Sequence, residues 1–416
     1  VLGFIMNRLS KLTIMLLSFV SLLAGCKGGD SESLRVGSES AKTTLETEEE
    51  AEEAIPQPET EPEEIDVYND RALDWYWELR RSLDPERPGF GLEYPGYPEA
   101  ESAMAYGHIA QSAALIGDYE TMQKAGRWLL ENSGVEEMTG WGLSFAWDSY
   151  RDGSVNPETT VYAITTAIAV DALTDIYCVT GQREYILTAI DALDYYLNFL
   201  LKDANDDFFL YSDQLDSNTN THNINAMLSL TYARVGVIAG RQDFINVASG
   251  VVGSLASAIE RQPGNITWRY SALPYESKYS FRNDLVHAAY ISYGLNEAQH
   301  YLGIDLIEEN DLRVYMDGFQ SGDVTTEFRL NETLTDEETK RRSRGWGLGM
   351  YIAWLVSIND FERAEEIIET IEDYRLPEGK FAYIYGDDLS LPRSTSHLMY
   401  GAASLAVGKT SFGTCS

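Results

Sequence analysis

The chain predicts an all-α fold: an (α/α)6 toroid of six helical hairpins, with short β-like loops at the cleft end. Three observations lead there. Six apolar segments rich in Ala, Gly and Ser alternate with six polar, amphipathic ones across residues 67–416. Short turns join each apolar segment to the polar one after it, whereas the opposite connections are long and aromatic. A lone hairpin cannot bury its apolar face, so units of about fifty residues repeated six times close on one another.

The amino-terminal part precedes this repeat. Arg8 and Lys11 supply a positive region, residues 12–23 an apolar run, and Leu23-Ala24-Gly25-Cys26 follows. The run is shorter than a membrane span and has the layout of a cleaved signal. The tetrapeptide resembles the lipobox of bacterial lipoproteins, which implies a signal peptide over 1–25 and lipidation of Cys26. Lys27 after the cysteine favours an outer-membrane address. Residues 26–66 then form an acidic linker, with Glu46–Glu53 nearly all acidic and Pro56, Pro58 and Pro62 behind it. Having no aromatic residue beyond Cys26, this stretch has too little apolar surface to offset its ordering entropy and is expected to be disordered.

Residues 67–416 follow as one toroid domain. Outer helices are expected over 68–83, 118–131, 183–202, 242–261, 307–318 and 360–374. The third shows the apolar spacing Ala192, Leu193, Tyr196, Leu197, Leu200. Inner helices are expected over 101–115, 158–179, 222–239, 283–301, 344–356 and 394–407. Ala163-Ile164-Thr165-Thr166-Ala167 illustrates their small, apolar character, which suits a helix packed on several sides. Gly117-Asp118, Thr180-Gly181-Gln182, Ala239-Gly240-Arg241 and Ile358-Asn359-Asp360 are the short turns, implying antiparallel neighbours.

The long lead-in loops carry aromatic and polar residues in alternation, including Trp141 to Tyr150, Phe209-Leu210-Tyr211, Trp268-Arg269-Tyr270 and Phe381-Ala382-Tyr383. Such loops on one end of a rigid scaffold are where binding and catalysis concentrate. The six hairpins and the recurring Trp/Phe-x-Tyr pattern resemble the six-hairpin toroid superfamily of carbohydrate-active proteins. That group holds glycoside hydrolases, polysaccharide lyases and the helical domain of glucuronyl C5-epimerases. The resemblance implies a glycan substrate or ligand and, with the lipobox, envelope polysaccharide machinery as a partner.

Sugars stack on aromatic faces and offer hydroxyls to carboxylates, so Trp141, Trp147, Tyr150, Trp268, Tyr270, Tyr275 and Tyr385 are candidate platforms. The alternative is an apolar lid over the helix ends. Glycoside hydrolysis needs one protonated and one ionised carboxylate. Glu101 and Asp284, on hairpins facing each other across a six-membered ring, are the favoured pair, with Asp148 a further candidate. Helix capping is the competing explanation of each acid. Asp284 and His287 are three apart, hence on one helix face, and form a candidate general base, while Arg344, in a basic cluster at the fifth lead-in, is a candidate to clamp a carboxylated sugar. The favoured reading is a glycoside hydrolase-like enzyme. A non-catalytic glycan-binding lipoprotein and a uronate lyase or epimerase are the alternatives.

A net charge of −35 disfavours nucleic acid, which needs a basic footprint. No metal-ligand spacing and no phosphate-binding glycine motif occurs, so no metal or cofactor is expected. With Cys26 lipidated, Cys178 and Cys415 are left either to pair or to stay as thiols.

Overall fold

The structure is a computed structural model that describes residues 66–135, 138–148, 153, 155–202, 206–214, 220–271, 282–330, 341–413 and 415. The expected signal peptide, Cys26 and acidic linker lie outside these residues. Among the described residues, twelve α-helices follow one another as six hairpins. The outer helices are α1 (Asp70–Ser82), α3 (Tyr119–Glu131), α5 (Arg183–Tyr196), α7 (Gln242–Ser257), α9 (Glu309–Asp317) and α11 (Phe361–Ile368). The inner helices are α2 (Ala103–Ile116), α4 (Ala163–Thr180), α6 (His222–Ala239), α8 (Leu285–Leu302), α10 (Gly345–Ser357) and α12 (Pro392–Val407). Each inner helix packs on the next, and α12 packs back on α2 as well as on α1, so the ring closes.

Burial follows the two sequence classes. Every residue of α2 is buried, whereas α1 buries only Ala72, Trp75, Tyr76 and Leu79 along one stripe. α4 is long and apolar enough to cross a membrane, but its first fourteen residues are buried within the ring, as the core helix of a toroid requires. Five inner helices end on a glycine in the left-handed region, Gly117, Gly181, Gly240, Gly303 and Gly408, and the remaining one ends beside Asn359 at φ 57°. Only glycine, and less readily asparagine, adopts this region without strain, so the turn residues seen in the sequence stop the helices where they do.

Small residues also set how near the helices come. A Cβ on Gly349 of α10 would lie 2.1 Å from the carbonyl oxygen of His397 on α12, and one on Gly401 2.5 Å from that of Gly349. Gly349→Ala would raise helix propensity by about 1 kcal/mol, but here it forces two backbones apart. The expected net result is a loss of about 1–3 kcal/mol, read as a lower urea midpoint at unchanged slope.

Five antiparallel hairpins stand at the end where the inner helices begin: β1–β2 (Phe90–Leu92, Glu99–Glu101), β3–β4 (Gly134–Val135, Met138–Thr139), β5–β6 (Leu200–Lys202, Asp207–Phe209), β7–β8 (Glu260–Gln262, Asn265–Thr267) and β9–β10 (Gln320–Ser321, Val324–Thr325). They shorten two expected outer helices, and a 3₁₀ turn shortens a third. Residues 200–202 and 260–262 leave the helix to pair with a following strand, and residues 369–374 tighten into a 3₁₀ turn. Tertiary partners override local periodicity here. The Phe209 amide donates to the Asn225 side chain of α6 (2.7 Å), a contact invisible to a helical pattern.

At the opposite end Cys178 and Cys415 form a disulfide, with Cα atoms 5.0 Å apart, and this answers the question the sequence left open.

Candidate active site

The lead-in loops interlock by one repeated contact. The first helical amide of α4, α8 and α10 donates to the carbonyl of Tyr211, Glu327 and Tyr383 respectively, and that of α6 to Tyr270, at 3.0–3.1 Å. These four positions are therefore equivalent around the ring. Three hold tyrosine, and the fifth lead-in loop places Glu327 there instead.

Glu327 is 1 % exposed and meets Arg344 twice: its Oε1 lies 2.7 Å from the guanidinium Nε and its Oε2 accepts the Arg344 amide at 2.8 Å. Burial pushes Glu327 up to about 7 against the pull of Arg344. The same guanidinium reaches Asp284, with Nη2 3.6 Å from Oδ2. Asp284 caps α8 by accepting the His287 amide at 3.2 Å, and its Oδ1 lies 2.7 Å from His287 Nδ1. Burial alone would raise Asp284, but His287 and Arg344 prevail and hold it well below the usual carboxylate range. Capping and ion pairing are thus one arrangement. His287 keeps 31 % of its side chain exposed, with the Tyr270 ring edge-on at 4.9 Å. Since Nδ1 faces Asp284, Nε2 is the nitrogen directed elsewhere.

A second buried carboxyl comes from the turn after β1. Glu93 is 2 % exposed and is pushed up to about 7 by burial, opposed by Arg393, whose Nη1 lies 3.8 Å from Oε1. The Arg393 guanidinium sits over the rings of Tyr94 (4.6 Å) and Trp346 (4.5 Å), and Arg344 lies 5.2 Å from the same Trp346 ring. Trp346 therefore links both charge pairs into one site. An aromatic arc continues from it. Tyr383 is 4.8 Å away on one side and Tyr94 6.2 Å on the other, Trp147 stacks on Tyr94 at 5.3 Å, and Tyr211 lies 6.4 Å beyond Trp147. One turn below His287, the Tyr290 hydroxyl meets His397 Nε2 at 2.6 Å. The His397 Nδ1 is 2.6 Å from the Arg393 carbonyl, which makes Nδ1 the protonated nitrogen and Tyr290 the donor to Nε2.

Of the residues expected from sequence, Asp284, His287 and Arg344 are brought together, with Tyr270 and Trp147 beside them. Glu101 is engaged on its own hairpin: Arg87 and the Tyr106 hydroxyl donate to its two oxygens at 2.6 and 2.9 Å, on the flank where Tyr106 stacks on Trp128. Asp148 accepts the Gly153 amide within its own loop. Trp141 and Trp268 are buried, their indole N–H groups bonded to the carbonyls of Leu129 and Leu255 in the outer helices, so neither offers a face to a sugar. Tyr385 is 47 % exposed at the rim under Arg342. Tyr150 and Tyr275 lie outside the described residues. Among the described residues no group of three His, Cys, Asp or Glu is placed to hold a metal.

Sequence reasoning missed Glu93, Tyr94, Glu327, Trp346 and Arg393. For Glu327 a signal existed: aligning Phe209-Leu210-Tyr211, Trp268-Arg269-Tyr270 and Phe381-Ala382-Tyr383 makes Thr325-Thr326-Glu327 the fifth copy, with a carboxylate in the tyrosine place.

The raised carboxyls give a pH prediction. A carboxyl whose folded pKa lies above its unfolded value binds more protons when folded, so stability falls as pH rises between the two. For Glu93 and Glu327 that window runs from 4.5 to about 7. The urea midpoint is expected to drop across it, and Glu93→Gln with Glu327→Gln to flatten the slope; an equally steep slope in the double variant would contradict the assignment.

Comparison with known proteins places the fold. The chain is similar to solved structures of a GH76 alpha-mannanase from Bacteroides thetaiotaomicron (TM-score 0.58, 11 % identity, covering 81 % of this chain and 95 % of that one), a cellobiose 2-epimerase from Spirochaeta thermophila (0.55, 14 %, 81 % and 98 %) and a polysaccharide lyase (0.56, 11 %, 81 % and 97 %). These carbohydrate-active proteins share the (α/α)6 toroid, and the chain spans nearly the whole of each. No protein-family model matches the chain, and no curated protein matches it in sequence.

Proposed function

We propose that this chain is a carbohydrate-active enzyme that moves a proton at the ring mouth, with His287 as acid and base. The carrying observation is the Asp284–His287 pair: a carboxylate held ionised, fixing one imidazole nitrogen at 2.7 Å and leaving the other for a substrate. Arg344 supplies positive charge next to it, and the arc Tyr94, Trp147, Trp346, Tyr383 gives apolar faces of the kind sugars stack on. The toroid shared with sugar epimerases, lyases and glycosidases supports a glycan as the substrate. Proton transfer at a sugar carbon, as in an epimerase or lyase, is favoured over hydrolysis because Glu101 is engaged by Arg87 and Tyr106.

Hydrolysis is the second reading, on a different observation. Glu327, raised to about 7, and the ionised Asp284 share Arg344, which meets the need for one protonated and one ionised carboxyl. We also propose, from the lipobox alone, that Cys26 is lipidated and holds the enzyme at a bacterial outer membrane beside envelope polysaccharide.

The test is mass spectrometry of neutral and uronate-containing oligosaccharides incubated with the full chain in heavy water. Deuterium at carbon, or cleavage to an unsaturated end, is the expected outcome. Cleavage with added water would select the hydrolase reading, and binding without any conversion would make the chain a glycan-binding protein.

A further inference from the structure

We propose that the C-terminal tail is a redox-released plug over the closed end of the ring. The inner helices finish at that end, opposite the lead-in loops, and there the ring axis holds a buried ion triad. Arg234 of α6 pairs with Asp171 and Asp175 of α4, and the three side chains are 1 %, 2 % and 0 % exposed. The Gln111 amide of α2 donates to Asp171 as well, at 2.8 Å. Charges this far from water need a seal, because hydration competes directly with their pairing.

The tail provides that seal. Past the stop at Gly408, the carbonyl of Thr410 accepts the buried Tyr400 hydroxyl at 2.9 Å, and Ser411 Oγ meets the Tyr301 hydroxyl at 3.1 Å. The Phe412 ring packs against the core, and Lys409 lies over it at 4.5 Å. Cys415 then pairs with Cys178, whose sulfur is 4.0 Å from Arg234 Nη2. Apart from the disulfide and the Phe412 ring, these attachments are single hydrogen bonds to tyrosine hydroxyls. Both cysteines are half-buried rather than enclosed, so a reductant has access to the bond.

The chemical step is thiol–disulfide exchange. A thiolate of an external dithiol attacks one sulfur of the Cys178–Cys415 bond and forms a mixed disulfide, and the second thiol displaces the remaining cysteine. The dithiol becomes a disulfide and gives up two electrons and two protons. Cys178 and Cys415 each take one of both and end as thiols. The freed tail then lifts, and water reaches Arg234, Asp171 and Asp175 at the ends of α4 and α6, while the mouth is unaffected. This device does not depend on the reaction proposed for the mouth.

Hydrogen exchange of the full chain, oxidised and after dithiothreitol, tests it. Amides of 171–180 and 232–239 are expected to exchange about ten-fold faster or more after reduction, Cys178 to become alkylated by iodoacetamide, and amides of the lead-in loops to keep their rates. Cys415→Ser is expected to show the same local pattern without reductant. Complete alkylation with unchanged exchange at 171–180 would overturn the proposal, since the tail would then stay seated. Faster exchange spread evenly around the ring would overturn it too, since the bond would be a general staple and not a local catch. If Cys415→Ser does not fold, reduction of the folded natural chain decides alone.

Discussion

His287→Gln is expected to lower turnover of a responsive glycan by about 10²- to 10⁴-fold, the usual worth of a positioned acid or base, while the chain stays folded. Glutamine keeps the size and a hydrogen-bonding end but cannot carry a proton at Nε2. Asp284→Asn is the sharper companion. It retains the cap on α8 but removes the charge that orients His287, so the pH profile is expected to move as well as the rate. A Glu101→Gln variant, by contrast, is expected to keep most activity, because Arg87 and Tyr106 occupy that carboxylate. If Glu101→Gln lost activity and His287→Gln kept it, the acid–base assignment would fail. Steady-state kinetics on the three variants, with kcat and KM separated, make the comparison.

The largest stability effect is expected at the opposite end of the ring. Arg234→Met leaves Asp171 and Asp175 buried without a cation, and breaking a buried pair by removing one partner costs about 3–5 kcal/mol. Against a typical total of about 5–15 kcal/mol, that is about a fifth of the stability or more. Asp175 is already pushed up to about 6 by burial, even with Arg234 beside it, so the variant is expected to take up a proton there near neutral pH. Removing all three charges together, as Asp171→Asn, Arg234→Met and Asp175→Asn, is expected to recover most of the loss, since neither aspartate is left as an uncompensated charge. Urea unfolding of the single and triple variants measures both, and equal midpoints for the two would contradict the account.

The mouth and the closed end differ in how they handle charge. At the closed end Asp171 and Asp175 are enclosed and share one guanidinium, which suits stability. At the mouth, Glu93, Asp284, Glu327 and Arg393 are buried, with Arg344 half-buried and His287 partly exposed, and Glu93 and Glu327 sit near 7 where a small change in surroundings moves a proton. Carboxyls poised in this way are common at sites that do chemistry, although ion networks with a purely structural role share the feature.

By itself the sequence determined the ring: the alternation of small apolar and amphipathic segments, and the Gly and Asn stops, place each of the twelve helices, although three outer ones end four to six residues earlier than their pattern. Both signals are local, since periodicity and left-handed turns are set by neighbours along the chain. It also put Asp284 and His287 side by side, because a three-residue spacing fixes a helix face, while Arg344 joins them only through the fold. Only the tertiary structure decided the rest. Glu101 and Asp148 look like Asp284 in sequence, but Arg87, Tyr106 and the Gly153 amide claim them. Trp141 and Trp268 look like Trp147, but the carbonyls of Leu129 and Leu255 draw their indoles into the core. Glu93, Glu327, Trp346 and Arg393 come from four separate segments and meet only when the ring closes. Burial and pairing between distant segments set what an acid or a tryptophan does here, and neither is written in the spacing of residues along the chain.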